Sequence, residues 1–280
     1  MGESMSAAEP HATGLEPATG HHEVVAIRYA TLRARKSHLF HRYEAYGEPD
    51  VEVEMAYYFW VLRAGGETIL VDTGFDPAVG ARRGRTCLLA PVDALRRLGI
   101  EPESVTAIIV THLHYDHIGN LDAFPHASLV VPRRELEFWT GPHANRFQFG
   151  SHVESSEVAL LEQARAAGRV RLTAGIEEIV DGITVHSVGG HSPGQLVTVV
   201  SSLGGDVVLA SDAVHFYEEF ELDRPFAIIA DLEQMYAAYD LLRELVAAPG
   251  AVLIPGHDPE VLARFPALDL RSDAAAVRVA

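Results

Sequence analysis

One cysteine among 280 residues, Cys87, leaves this chain no possible intrachain disulfide and fits a reducing compartment. No histidine-rich context surrounds it in sequence, so a buried apolar thiol is expected there rather than a nucleophile. Basic side chains are also scarce: 22 Lys and Arg stand against 39 Asp and Glu, a formal charge of −17. That balance is a poor match to a phosphate backbone, so nucleic acid is not expected as a partner, although bound cations would reverse the field locally. No apolar run approaches the ~18 residues that a membrane span needs. Residues 1–22 lack a basic segment followed by an apolar core, which argues against a secretory signal. A cytoplasmic protein without a membrane partner is the expectation. No Pro-, Gly- or Ser-rich linker divides the chain, so one domain over 23–270 is expected, with a flexible N-terminal tail at 1–22 and a C-terminal tail at 271–280.

Apolar content is ample. Hydrophobic residues make up 48 % of the chain, enough for a sizeable core. Segments 24–32 and 51–63 read as strands, the second carrying Tyr57, Tyr58, Phe59 and Trp60. Between them, 34–50 suits an excursion over the surface. Gly65-Gly66 reads as a tight turn into a strand over 67–72. Helical spacing is found over 92–98, closed by Gly99, and over 158–167, closed by Gly168. Further helices are expected at 134–139 and 232–247. Strands are expected at 107–110, 127–131, 169–172, 183–188, 197–200, 207–210 and 251–254.

The stretch 107–120, AIIVTHLHYDHIGN, opens as a short β-branched apolar run and closes on His112, His114, Asp116 and His117. Residues two apart in an extended segment share a face, so His112 and His114 can converge on one ion. Asp116 and His117 are neighbours and better placed to serve a second ion. Imidazole and carboxylate are the common ligands of borderline divalent metals. Three later segments offer further donors: His191 in GGHSPGQ, Asp212 in LASDAVH and His257 in LIPGHD. Each follows a strand, and an isolated carboxylate at the end of an apolar strand is costly unless paired or metal-bound.

The HxHxDH pattern with these three later residues resembles the signature of the metallo-β-lactamase superfamily, and VDTGF over 71–75 resembles that family's early strand-turn. The resemblance covers roughly residues 23 to 268. It implies a mixed α/β four-layer αββα sandwich and a dinuclear site for two divalent ions, Zn²⁺ first, with Mn, Fe or Co as alternatives. One ion would take His112, His114 and His191, the other Asp116, His117 and His257, with Asp212 between them. Asp72 could bind metal or support the ligand loop by hydrogen bonds; the resemblance favours support. Within the superfamily the arrangement is most similar to the N-acyl homoserine lactonases. This implies opening of a lactone ring on a small acyl substrate by a metal-bridging hydroxide, with Asp116 passing a proton to the leaving group.

That family usually carries a Tyr three residues after the bridging Asp, supporting the substrate carbonyl. Here the position is His215. Its imidazole could donate the same hydrogen bond, or Tyr217 could reach in. The segment 138–149, with Phe138, Trp139, Phe147 and Phe149, could anchor a loop on the core or form one wall of an apolar pocket. Phe216, Tyr58 and Trp60 are further pocket candidates. A thioesterase of the glyoxalase II kind would share all seven ligands, but the chain shows no basic C-terminal extension for a glutathione carboxylate. A phosphodiesterase or nuclease fits the acidic balance poorly. An iron-containing redox relative would carry a carboxylate where His114 stands, and a non-enzymatic relative would show eroded ligands. A homodimer is the assembly considered.

Overall fold

The computed structural model describes residues 22–64 and 66–280. The expected N-terminal tail, apart from His22, and Gly65 of the expected turn lie outside these residues. Fourteen strands are seen among the described residues. They are β1 (Glu23–Arg35), β2 (Glu52–Ala64), β3 (Glu67–Val71), β4 (Thr86–Cys87), β5 (Ala107–Ile109), β6 (Ser128–Pro132) and β7 (Val170–Thr173). The second half adds β8 (Ile176–Val180), β9 (Ile183–Ser187), β10 (Leu196–Ser202), β11 (Gly205–Ser211), β12 (Val252–Pro255), β13 (Ala267–Leu268) and β14 (Ala275–Arg278). One sheet runs β13-β14-β1-β2-β3-β5-β6-β7, with β4 paired to β1; the other runs β12-β11-β10-β9-β8.

Alternation along the strands makes the layers. On β2, Tyr58, Trp60 and Leu62 pack with Ile69, Val71 and Ile109 against Val185, Val200, Leu209 and Ile254 of the second sheet. The opposite parity, Tyr57, Phe59 and Val61, packs with Val25, Ile27 and the helix residues Ala94, Leu95 and Leu98. On the second sheet, Val197, Val199 and Val208 meet Met235, Tyr239 and Leu242 of the helix Leu232–Leu245. Two sheets face each other and helices cover both outer faces, which is the four-layer αββα arrangement. No described helix is long and apolar enough to cross a membrane.

The expected C-terminal tail is corrected. Residues 275–278 form β14, inserted between β1 and β13, with Val25 opposite Arg278 and Ile27 opposite Ala276. Ala276 and Val277 are buried, and the ladder extends to a Val279 N–H bond to Val24 O at 2.7 Å. Alanine-rich sequence gives little strand signal; backbone pairing along β1 holds it instead. Cys87 sits half-buried on β4, and burial pushes its thiol pKa up, which suits an inert thiol.

Candidate metal centre

Four parallel-paired strands deliver the site. Val71 at the end of β3 pairs with Ile109 at the end of β5, and Ser211 at the end of β11 pairs with Pro255 at the end of β12. Asp72, the 112–117 loop, Asp212 and His257 follow these ends directly, and His191 lies in the loop between β9 and β10. Backbone hydrogen bonds tie the loops across the sheets: Leu196 N to Thr111 O at 2.9 Å, Ala56 N to His257 O at 2.8 Å and His257 N to His215 O at 3.0 Å. Gly190 lies beneath the helix Leu232–Leu245 with φ +92, where an added Cβ would come within 2.7 Å of Met235 Cα. Only glycine lets the His191 loop approach that closely.

The side chains of His112, His114, Asp116, His117, His191, Asp212 and His257 are brought into one buried cluster. Asp212 lies at its centre. His191 Nε2 and His112 Nε2 lie 3.3 and 3.8 Å from Asp212 Oδ2, His117 Nε2 lies 3.3 Å from Oδ1, and His257 Nε2 reaches both oxygens, at 3.1 and 3.2 Å. His114 Nδ1 is 2.9 Å from His191 Nε2, and Asp116 Oδ2 is 3.8 Å from His117 Nε2.

The outward nitrogens fix the tautomers. His191 Nδ1 donates to Ile228 O at 3.0 Å and His257 Nδ1 to Ala56 O at 2.7 Å; a carbonyl can only accept, so each Nε2 faces inward with its lone pair. His117 Nδ1 donates to Asp72 Oδ2 at 2.7 Å. Asp72 also accepts from Thr111 N and Thr111 Oγ1, both at 2.8 Å. With its proton given to Asp72, Thr111 Oγ1 accepts from His112 Nδ1 at 3.1 Å, which turns His112 Nε2 inward too. Asp72 and Ser211 hold positive φ, +62 and +46, so the loop roots carry backbone strain. Asp72 thus joins His117 to the backbone and hydroxyl of Thr111.

Sequence reasoning passed over Glu135. Fully buried on the helix Arg133–Trp139, its carboxylate accepts from Leu113 N (3.0 Å), Trp139 Nε1 (2.7 Å), Ser192 Oγ (2.6 Å) and Gly194 N (2.6 Å). It fastens the 112–117 loop to the His191 loop. In sequence a glutamate on a short helix looks like a solvated residue, so no signal marked it.

Electrostatics agree with the donor roles. Burial first, then neighbouring imidazoles, hold His112 and His114 well below the usual histidine range, and burial does the same for His191. These rings are neutral lone-pair donors. Burial pulls against charge on His117 and Asp212 as well, yet the Asp212, Asp72 and Asp116 carboxylates raise the imidazole, and the His257, His117 and His215 rings lower the carboxyl.

The residues fit divalent ions. His112 Nε2, His117 Nε2 and Asp212 Oδ1 are buried without a hydrogen-bond partner, so converging donors do not satisfy one another. Metal bonds of about 2.0–2.1 Å place tetrahedral ligands about 3.3–3.4 Å apart, and the spacings around Asp212, 3.1 to 3.8 Å, bracket that value.

Two cavities of about 470 and 440 Å³ open on the cluster, the first lined by His114, Asp116, His191 and Asp212, the second by His114 and His191. Trp139, Phe147 and Phe149 line the second; Phe138 faces a neighbouring groove instead. The expectation for Phe216 and Tyr217 is corrected. Both line a separate groove beside Lys36, and the Tyr217 ring lies under the Arg264 guanidinium at 3.4 Å. Tyr217 starts the helix Tyr217–Leu222, its N–H donating to Asp258 Oδ2, which turns it away from the cluster. Tyr58 and Trp60 are also corrected: they are on the inter-sheet parity of β2, and Tyr58 Oη donates to Asp258 O. Tyr57, on the other parity, takes the wall position, with Arg83, Arg85 and His152. His215 is fully buried behind the wall residue Phe226, which stacks on it at 3.6 Å. Asp212 and Glu219 outweigh burial and push the His215 pKa up to about 9.

The metallo-beta-lactamase superfamily model matches residues 54–257. An N-acyl homoserine lactonase of Bacillus sp is 32 % identical over 170 residues, 60 % of this chain and 62 % of that protein. The aligned stretch is thus less than two thirds of that relative's length. The N-acyl homoserine lactonase AttM of Rhizobium radiobacter is 24 % identical over 77 % of this chain and 86 % of its own. Among solved structures, a quorum-quenching N-acyl homoserine lactone lactonase superposes with a TM-score of 0.72 at 25 % identity, covering 86 % of this chain and 94 % of that one. With the family model spanning both the 112–117 loop and His257, this chain belongs to the metallo-beta-lactamase superfamily.

Proposed function

We propose that this protein is a metal-dependent hydrolase that opens lactone rings, with N-acyl homoserine lactones or similar acyl lactones as substrates. The observation that carries the reading is the gathering of the donors around Asp212, with His191 and His112 near one oxygen, His117 near the other and His257 within 3.2 Å of both. His112, His114 and His191 would hold one divalent ion, and Asp116, His117 and His257 the other, with Asp212 shared. Bound there, divalent ions lower the pKa of water toward neutrality and polarise a carbonyl oxygen. Zinc suits this donor set, as do manganese, iron and cobalt.

The chain's own residues supply the rest. Leu32, Leu39, Met55 and Ile228 give the larger cavity apolar walls for an acyl chain. Asp116 lines that cavity, where its carboxylate can take a proton and return it to the leaving alkoxide. Burial first, then the Asp116 charge, push the Tyr57 pKa up to about 12, so its phenol keeps its proton as a donor for a substrate oxygen. The relatives named as N-acyl homoserine lactonases support the lactone reading. The absence of a membrane-crossing helix among the described residues is compatible with action in the cytoplasm.

A panel of lactones, thioesters and phosphodiesters tests this directly. Acyl lactones should give the highest kcat/KM. Thioesters ahead of every lactone would move the assignment to a thioesterase, and bis-p-nitrophenyl phosphate turned over far faster than any lactone would sink it.

A further inference from the structure

The donor atoms of His191, Asp212 and His215 lie within 4.8 Å of one another, so a sixth imidazole joins the five already described. His215 Nε2 is 3.2 Å from Asp212 Oδ2, is buried, and has no hydrogen-bond partner. His112 Nε2 and His117 Nε2 are orphaned in the same way. The far nitrogen of His215, Nδ1, is 3.2 Å from Glu219 Oε2. A carboxylate on one ring nitrogen is how ligating histidines are commonly oriented, and His117 has that arrangement through Asp72.

Glu219 is itself immobilised. Its Oε2 accepts from His215 N at 2.6 Å, and its Oε1 from Phe226 N at 3.1 Å and Tyr239 Oη at 2.5 Å. The Phe226 ring, tilted only 11° from the imidazole, lies over its face. His215 lines neither cavity, so the hydrogen bond to a substrate carbonyl that its sequence position suggests is out of reach. Its inward nitrogen meets only the donor cluster.

We infer that His215 is an eighth protein donor of the centre, binding through Nε2 on the side of His112, His114 and His191, with Glu219 as its positioning residue. This rests on the reading that the site holds two divalent ions. Binding displaces the proton that His215 otherwise shares with the two carboxylates, as metal binding does for any ligating imidazole. An added imidazole fills a position that water or a substrate oxygen would otherwise take. The open position then lies on the side of Asp116, His117 and His257.

Cobalt(II) loading tests it, because cobalt accepts such donor sets and makes ligand protons visible by NMR. The native protein should bind two cobalt ions per chain. It should show six hyperfine-shifted, solvent-exchangeable ring N–H lines, one for each imidazole of the cluster. His215→Phe keeps a ring against Phe226 and removes the donor. It should lose one line, alter the visible d–d absorption and weaken one ion by more than the ~10–100-fold that loss of an outer hydrogen-bond partner costs. Glu219→Gln should keep all the lines and shift the same absorption. Five lines in the native protein, or an unchanged line count and absorption in His215→Phe, would overturn the inference and leave His215 an imidazolium clamped between two carboxylates. If His215→Phe does not fold, the native line count decides. A single cobalt ion in the native protein would overturn the two-ion reading, and this inference with it; the stoichiometry tells that failure from the other.

Discussion

In the candidate metal centre, His112, His117, His191 and His257 each have the outward nitrogen fixed by a named acceptor, and Asp72 and Glu135 accept eight hydrogen bonds between them. The segment 140–153, which forms part of the second cavity's wall beside His114, is held far more lightly. Its helix Phe147–Gly150 has four residues and no side-chain cap, and Phe147 is 89 % exposed. The fixing of the cluster is what a preorganised donor set requires. On the proposed function, side chains of this wall should be changeable with little loss of stability and with the donors left in place.

The largest effect should come from Asp212→Ala. Both donor sets lose the shared carboxylate, so both ions should be weakened by more than the ~10–100-fold that loss of an outer hydrogen-bond partner costs. His257→Ala should weaken one ion and spare the other. Competition with a chelator of known affinity measures both. Next comes Asp72→Asn, which tolerates the positive φ but replaces one acceptor oxygen by a donor. Metal affinity should fall by about 10–100-fold while the fold survives.

Glu135→Gln tests the supporting shell without touching a ligand. At least one of its four donors is left unpaired in a buried place, so stability should drop by about 1–3 kcal/mol in denaturant unfolding of the metal-free protein. No change would mean that the two loops are held by other contacts.

These residues also mark how far the sequence could be read. The donors of 112–117 were legible because their spacing at the end of an apolar strand is chemical information in itself. Glu135 and Thr111 were not, because a buried acceptor and a hydroxyl look ordinary until the fold surrounds them. On β2 the aromatic run announced a strand, but parity decides which rings face the cavity. The cavity has Tyr57, while Tyr58 and Trp60 went between the sheets. Helix spacing gave the four main helices within a few residues, whereas β14 is formed by backbone pairing that an alanine-rich stretch does not advertise. Arg83 and Arg85 reach the cavity from a loop with no pattern at all.

A smaller effect belongs to Glu157, on the helix Ser155–Ala166 that follows the lightly held segment. Burial first, then Glu154 and Asp116, push its pKa up from 4.5 to about 8. Between these values the native state binds a proton that the unfolded chain has released. Stability should therefore fall as pH rises from about 4.5 to about 8, and Glu157→Gln should flatten that slope and raise stability at pH 8. An unchanged slope in a pH series of unfolding curves would remove Glu157 as its source. The smallest effect is expected from Phe147→Ala: stability within about 0.5 kcal/mol of the native protein, with KM shifting across a series of acyl chain lengths and metal content unaltered.

The number of ions per chain is the decisive quantity. Metal-free protein titrated with a divalent ion, with bound metal and lactone turnover followed together, should reach full activity only as occupancy approaches two per chain. Full activity at a single ion per chain would contradict it.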